Sequence, residues 1–271
     1  MKNLKKLLFL FMGLTLLVSC SDDDFFSGQR KIYELRSVAD PSISGTATFI
    51  QNKDNSTTVE LQLDGTPAGG MHPAHIHFNT AVESGGIAVT LGTVNGDTGF
   101  STTTFSELND NTSVSFNDML FFDGYINVHL SSGDLGTLVA QGDIGQNELT
   151  GASILFVLND VADPTISGTA TFSQRSNGEA LAVLNIANTP AGGSHPAHIH
   201  AGSVANAPGG ILFTFNPVNG DTGISSTNVA ALNDNSPFNY NDVLVVDAYI
   251  NVHLSSMDLG TIVAQGDIGI N

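Results

Sequence analysis

The chain has 271 residues, 8 Lys+Arg against 26 Asp+Glu, a formal charge of −18 and a single Cys. The acidic balance excludes a general nucleic-acid binder, which needs a basic footprint to neutralise phosphates, and one cysteine excludes an internal disulfide. Only 13% of residues are charged, while Gly, Ser, Thr, Asn and Asp abound, a composition that fits a turn-rich β protein and not a helical bundle.

Lys2, Lys5 and Lys6 precede an apolar run from Leu7 to Val18. A basic start followed by so short an apolar segment reads as a secretory signal, not a membrane span. Leu17-Val18-Ser19-Cys20 resembles the lipobox of bacterial lipoproteins, so residues 1–20 are expected to be the signal peptide and Cys20 the lipidated residue. Ser21-Asp22-Asp23-Asp24 resembles an acidic export signal that sends lipoproteins to the outer face of the cell, within an acidic tether over 21–30. Losing the signal removes three of the eight basic residues and no acid, which leaves five against 26, a formal −21. Anionic headgroups would repel such a chain, so its lipid and not its charge would hold it at a membrane.

The remainder is one unit written twice, over 31–150 and 151–271. Ala39-Asp40-Pro41 through Phe49 returns as Ala162-Asp163-Pro164 through Phe172, and His72-Pro73-Ala74-His75-Ile76-His77 returns at His195 to His200, both offset by 123. Asn95-Gly96-Asp97-Thr98-Gly99 returns at Asn219 to Gly223, offset by 124, so one residue is inserted between them. A period this long means tandem domains, because solenoid repeats run at about 20–50 residues. Val59, Leu61 and Leu63 alternate with polar neighbours, as do Ile126, Val128 and Leu130, the period-two signature of half-buried strands. A short helix is predicted from Asn117, as cap, to Asp123, with Gly124 as stop and a counterpart from Asn241. The expected fold is all-β: two tandem antiparallel Greek-key β-sandwich or barrel domains, each with one or two short helices.

All eight histidines fall at equivalent positions: His72, His75, His77 and His129, then His195, His198, His200 and His253. Residues two apart on a strand share a face, so His75 and His77 project together while Ile76 faces the core. His129 lies on the side of Tyr125 and Asn127; if the two strands are neighbours, three imidazoles converge. Three neutral imidazoles with an open position suit copper or zinc, one ion per domain. His72 and His195 have the wrong parity to join and are expected to fix ring orientation from behind or to cap a loop. The competing expectation is that backbone carbonyls and Asn side chains satisfy these rings and no ion binds.

Each copy resembles the CHRD domain, a module named from chordin and found in bacterial secreted proteins. The marks are the Gly45-Thr46-Ala47 opening, the His75-Ile76-His77 strand, Tyr125-Ile126-Asn127-Val128-His129 and the closing Gly136 to Gln141. The chain departs from that family at Leu130 and Leu254, and at Val139 and Val263 where an Arg is usual. The histidine pattern is also similar to copper–zinc superoxide dismutase, as are Asp134-Leu135-Gly136 and Gly142-Asp143-Ile144-Gly145 after His129. That resemblance implies copper ligands at His75, His77 and His129, and at His198, His200 and His253. The enzyme's bridging and zinc-loop histidines are missing, and Leu138 and Ile262 stand where its active-site arginine falls. Without a guiding cation, capture of an anionic substrate loses its electrostatic support.

Asn95-Gly96-Asp97, Asn109-Asp110-Asn111 and Asn117-Asp118 are what turns and caps select, or else oxygen ligands for calcium; no D-x-D-x-D-G loop is present. The expectation is a lipoprotein of the cell outer membrane, anchored through Cys20 and facing the exterior. It would act as a non-catalytic binding or scaffold module that holds one His-ligated copper or zinc ion per domain and meets an extracellular protein or small ligand. The alternatives are a copper-dependent oxidoreductase of superoxide dismutase type and a purely structural surface spacer.

Overall fold

The computed structural model describes residues 28–271; the signal segment, Cys20 and the acidic Ser21–Asp24 lie outside the described residues. Strands hold 57% of the described residues and helices 5%, so the protein is all-β as expected. The first repeat contributes β1 (Arg30–Ser37), β2 (Ser44–Gln51), β3 (Thr57–Asp64), β4 (Met71–Phe78), β5 (Ile87–Asn95), β6 (Phe100–Phe105), α1 (Phe116–Met119), β7 (Asp123–Ser131) and β8 (Asp134–Gly145). These strands close a barrel in the order β1-β2-β3-β6-β5-β4-β7-β8. Every pairing is antiparallel. The long crossings from β3 to β4 and from β6 to β7 make it a Greek key, and they bring the two histidine-bearing strands β4 and β7 side by side.

Three residues lead into the second repeat: β9 (Leu149–Asp160), β10 (Gly168–Arg175), β11 (Ala180–Ile186), β12 (Ser194–His195), β13 (Ala197–Ala201), β14 (Ile211–Thr214), β15 (Val218–Asn219), β16 (Ile224–Val229), α2 (Tyr240–Val243), β17 (Asp247–Ser255) and β18 (Asp258–Gly269). The strand order is equivalent, β14-β13-β17-β18-β9-β10-β11-β16, but the sheet is open and a separate β12–β15 pair stands apart. In the first repeat closure rests on a single β5–β6 pair, Asn95↔Phe100. In the second, Pro217 interrupts the strand where the first has Thr93; a proline offers no amide to a ladder.

Alternation builds both cores. Val59, Leu61 and Leu63 all point inward, and with Phe49, Ile76, Ile126 and Val128 they belong to one buried cluster. Phe172, Leu184, Ile199, Ile250 and Val252 occupy equivalent positions in the other. Each such side chain removed from water contributes about 1.5–3 kcal/mol. Two sequence expectations need correction. Leu130 is 38% exposed, whereas its counterpart Leu254 packs against the core of the second repeat. The first helix is capped by Ser115, not Asn117: Asp118 accepts from the Ser115 backbone amide while Ser115 caps Asp118, and Gly124 already belongs to β7. Asn239 caps α2 in the same way.

Candidate metal centres

On β4, Ile76 is buried in the core, so His75 and His77 emerge together on the opposite face. Across the β4–β7 ladder His77 pairs with Tyr125 and His75 with Asn127. His129 follows two residues later on the same side of β7, and the bulge at this point brings its ring to 5.1 Å from that of His75. The second repeat repeats this arrangement, with His200 opposite Tyr249, His198 opposite Asn251 and the His198 and His253 rings 5.1 Å apart. In each repeat one ring nitrogen from each of the three histidines lies within 4.8 Å of the other two. The convergence expected from parity is therefore present in both copies.

Hydrogen bonds decide which nitrogens face inward. His77 Nδ1 lies 3.0 Å from the Gly85 carbonyl oxygen and His129 Nδ1 lies 2.8 Å from that of Leu135. A carbonyl only accepts, so both Nδ1 atoms carry the proton and both Nε2 atoms present a lone pair. His200 and His253 are set identically by Gly209 at 2.9 Å and Leu259 at 2.8 Å. The third ring turns the other way and offers Nδ1. In the first repeat His75 Nδ1 donates to the lone pair of His129 Nε2 at 3.1 Å, a proton that an ion would displace. In the second, His198 Nδ1, His200 Nε2 and His253 Nε2 are all buried without a hydrogen-bond partner. A bond length of about 2.0 Å places the ligand atoms of a tetrahedral ion about 3.3 Å apart. Each set of three rings, held from behind by a carbonyl or by packing, could hold a metal ion.

The local electrostatics favour the neutral form of His75, His198 and His253. Burial, followed by the neighbouring His129 and His77, holds His75 below the ordinary imidazole value. Burial and then His253 and His200 lower His198 to about 4. Burial also lowers His253, with the Leu259 carbonyl pulling the other way. Neutral imidazole is the form that ligates metal.

His72 and His195 do not touch the ligand rings. Each is buried at 1%, and their Nδ1 atoms donate to backbone oxygens, of His129 at 3.3 Å and of Leu254 at 2.8 Å. They tie β4 or β12 to the neighbouring strand; the expected orientation of the ligand rings comes from backbone carbonyls and not from these two histidines. Sequence reasoning did not single out Tyr125 and Tyr249, which stack on His77 and His200 at 5.0 and 5.2 Å with 18° between planes. Tyr249 Oη also accepts from Gly209 N at 2.8 Å. The repeated Tyr-Ile-Asn-Val-His segment carried that signal, since Tyr and His share its parity. The recurring Gly-Gly at 85–86 and 209–210 was a second signal, because its first glycine supplies the carbonyl that orients a ligand.

The Asn/Asp segments serve turns and caps. Asp97 Oδ1 accepts from Gly69 N at 2.7 Å, Asp110 Oδ1 from Thr112 N at 2.9 Å, and Asp118 belongs to the α1 cap. Comparison with protein-family models and with curated proteins gives no match.

Proposed function

We propose that the protein is a lipid-anchored module of the cell outer membrane, held through Cys20 and facing the exterior, whose two CHRD-like domains each bind one copper or zinc ion. The observation that carries the metal reading is the inward-facing set of unpartnered lone pairs on His198, His200 and His253; His75, His77 and His129 converge in the same way, with His75 Nδ1 and His129 Nε2 hydrogen-bonded to each other. When bound, the ion would supply a cross-link between neighbouring strands and a Lewis-acidic position open to a ligand. Burial favours the neutral form of His75, His198 and His253, and backbone carbonyls fix the tautomers of His77, His129, His200 and His253.

A binding role is favoured over dismutase chemistry by what stands beside the ligands. Leu138 pairs across from His129 and Ile262 from His253, so apolar side chains occupy the positions a guiding cation would need. The test is metal analysis of protein purified without a His tag. Two equivalents of copper or zinc, with one lost in each of His75→Ala/His77→Ala and His198→Ala/His200→Ala, are expected. Metal-free protein whose melting temperature ignores both ions would refute the reading. Superoxide consumption by copper-loaded protein above free-copper controls would instead favour the oxidoreductase. Protease added to intact cells is expected to digest the chain; full protection would overturn the outward orientation.

A further inference from the structure

The two repeats differ in one buried charge. Arg175, the last residue of β10, has a side chain exposed to 0%. Its Nη1 donates to Asp143 Oδ2 at 2.7 Å and to the Asn147 carbonyl at 2.6 Å, on β8 of the first repeat and in the link between repeats. Its Nε donates to Asn228 Oδ1 at 2.9 Å, and Asn228 is itself held by Glu179 at 2.8 Å. A guanidinium is taken out of water only where it is paired and hydrogen-bonded, so these contacts form a committed link. The equivalent residue of the first repeat is Asn52, which donates only to Ser56 and Thr58 beside it.

Asp143 carries the link onward. Its other oxygen accepts from Ala81 N at 2.8 Å, in the loop that runs from β4 to Gly85, whose carbonyl orients His77. Asp143 also pairs across from Tyr125, which pairs across from His77 and stacks on it. His77, Tyr125 and Asp143 thus form a row over three adjacent strands, and Arg175 stands at its end. The second repeat has the same row, His200, Tyr249 and Asp267, with Asp267 accepting from Val204 N at 2.7 Å. No salt bridge reaches Asp267 among the described residues.

We infer that Arg175 is a positioning residue for the first metal centre alone: the second repeat grips Asp143 and thereby aims His77, which makes two centres with the same ligands unequal. This rests on the metal-binding reading. Asn147 strengthens the same junction, since its Nδ2 donates to Asn79 O at 3.1 Å and to Asp123 Oδ1 at 2.8 Å while its carbonyl receives Arg175. Breaking the grip frees the Ala81–Gly85 loop to turn its carbonyl away and releases the His77 ring.

The experiment uses the full chain solubilised in detergent, with copper(II) alone as probe. His198→Ala/His200→Ala isolates the first centre and His75→Ala/His77→Ala the second; Arg175→Met and Arg175→Lys are placed in each. Arg175→Met is expected to weaken the first centre about 10–100-fold and to change its copper(II) paramagnetic spectrum. Arg175→Lys is expected to recover part of both, with the second centre unchanged within about twofold. Equal weakening of both centres, or none in either, would overturn the inference while two equivalents bound by the unmodified chain leave the metal reading standing. An unmodified chain that binds no copper would overturn both. Should Arg175→Met fail to fold, Asp143→Asn removes the negative partner, and the same selective loss is required of it.

Discussion

Gly209 and Gly210 are neighbours in one loop, and alanine at each should have opposite consequences. A Cβ on Gly209 would fall well inside contact distance of the Ala201 carbonyl oxygen, 2.9 Å from its carbon and 3.2 Å from the Ala201 nitrogen; at Gly210 nothing lies within 4 Å. Backbone cannot retreat as a side-chain tip can, so Gly209→Ala must push the loop off β13. Overpacking of this kind costs about 1–3 kcal/mol. The displacement also breaks two hydrogen bonds, His200 Nδ1 to Gly209 O at 2.9 Å and Gly209 N to Tyr249 Oη at 2.8 Å, each contributing about 0.5–1.5 kcal/mol. Gly209→Ala should therefore destabilise the second domain by about 2–6 kcal/mol and weaken its copper or zinc affinity about 10–100-fold. Gly210→Ala should stay within about 0.5 kcal/mol of the parent. Urea unfolding and metal titration in the His75→Ala/His77→Ala background read the two effects separately. Two alanine variants that behave alike in both measurements would refute this account of how His200 is oriented. The first repeat offers the same contrast, with Gly85 crowding the Phe78 carbonyl carbon at 2.7 Å and Gly86 open.

Other outcomes follow from the same contacts. Tyr249→Phe leaves the Gly209 amide without its 2.8 Å partner and should cost about 1 kcal/mol in urea unfolding, while the stack on His200 survives; Tyr249→Leu removes both and should cost more. Ser115→Ala breaks the reciprocal cap of α1 and should cost about 1 kcal/mol, measured by the unfolding midpoint of the first domain; an unchanged midpoint would show that the four-residue helix is held by packing alone. Acid should destabilise the metal-free protein through His198, lowered to about 4 in the fold. Unfolded, this ring takes a proton near pH 6.5; folded, it does so only near 4, so the unfolded state binds more protons between these values. The stabilisation is complete above pH 6.5 and is lost as pH falls towards 4. His198→Gln should flatten that part of the stability profile, and an unaltered profile would contradict the assignment.

Much of the site was legible because strand geometry is simple. A period of two puts His75 and His77 on one face, and duplication with no stray histidine marked the same four positions twice. The helix cap was misplaced because Ser115, Asn117 and Asp118 all suit a helix start in isolation, and only the closed Ser115–Asp118 pair distinguishes them. Leu130 was misread because alternation is the same at Leu130 and Leu254, and only the packing around them leaves one exposed and the other against the core.

The sequence by itself determined the all-β class, the two copies and the ligand candidates, since composition, periodicity and repetition are properties of the chain. Which nitrogen of each ring faces inward depended on the carbonyls of Gly85, Leu135, Gly209 and Leu259, which reach the histidines through turns no pattern specifies. The inequality of the repeats was equally a tertiary matter. Arg175 is one of five basic residues among the described residues, yet its meaning came from Asp143, 32 positions away, and from burial that leaves neither charge free to act alone.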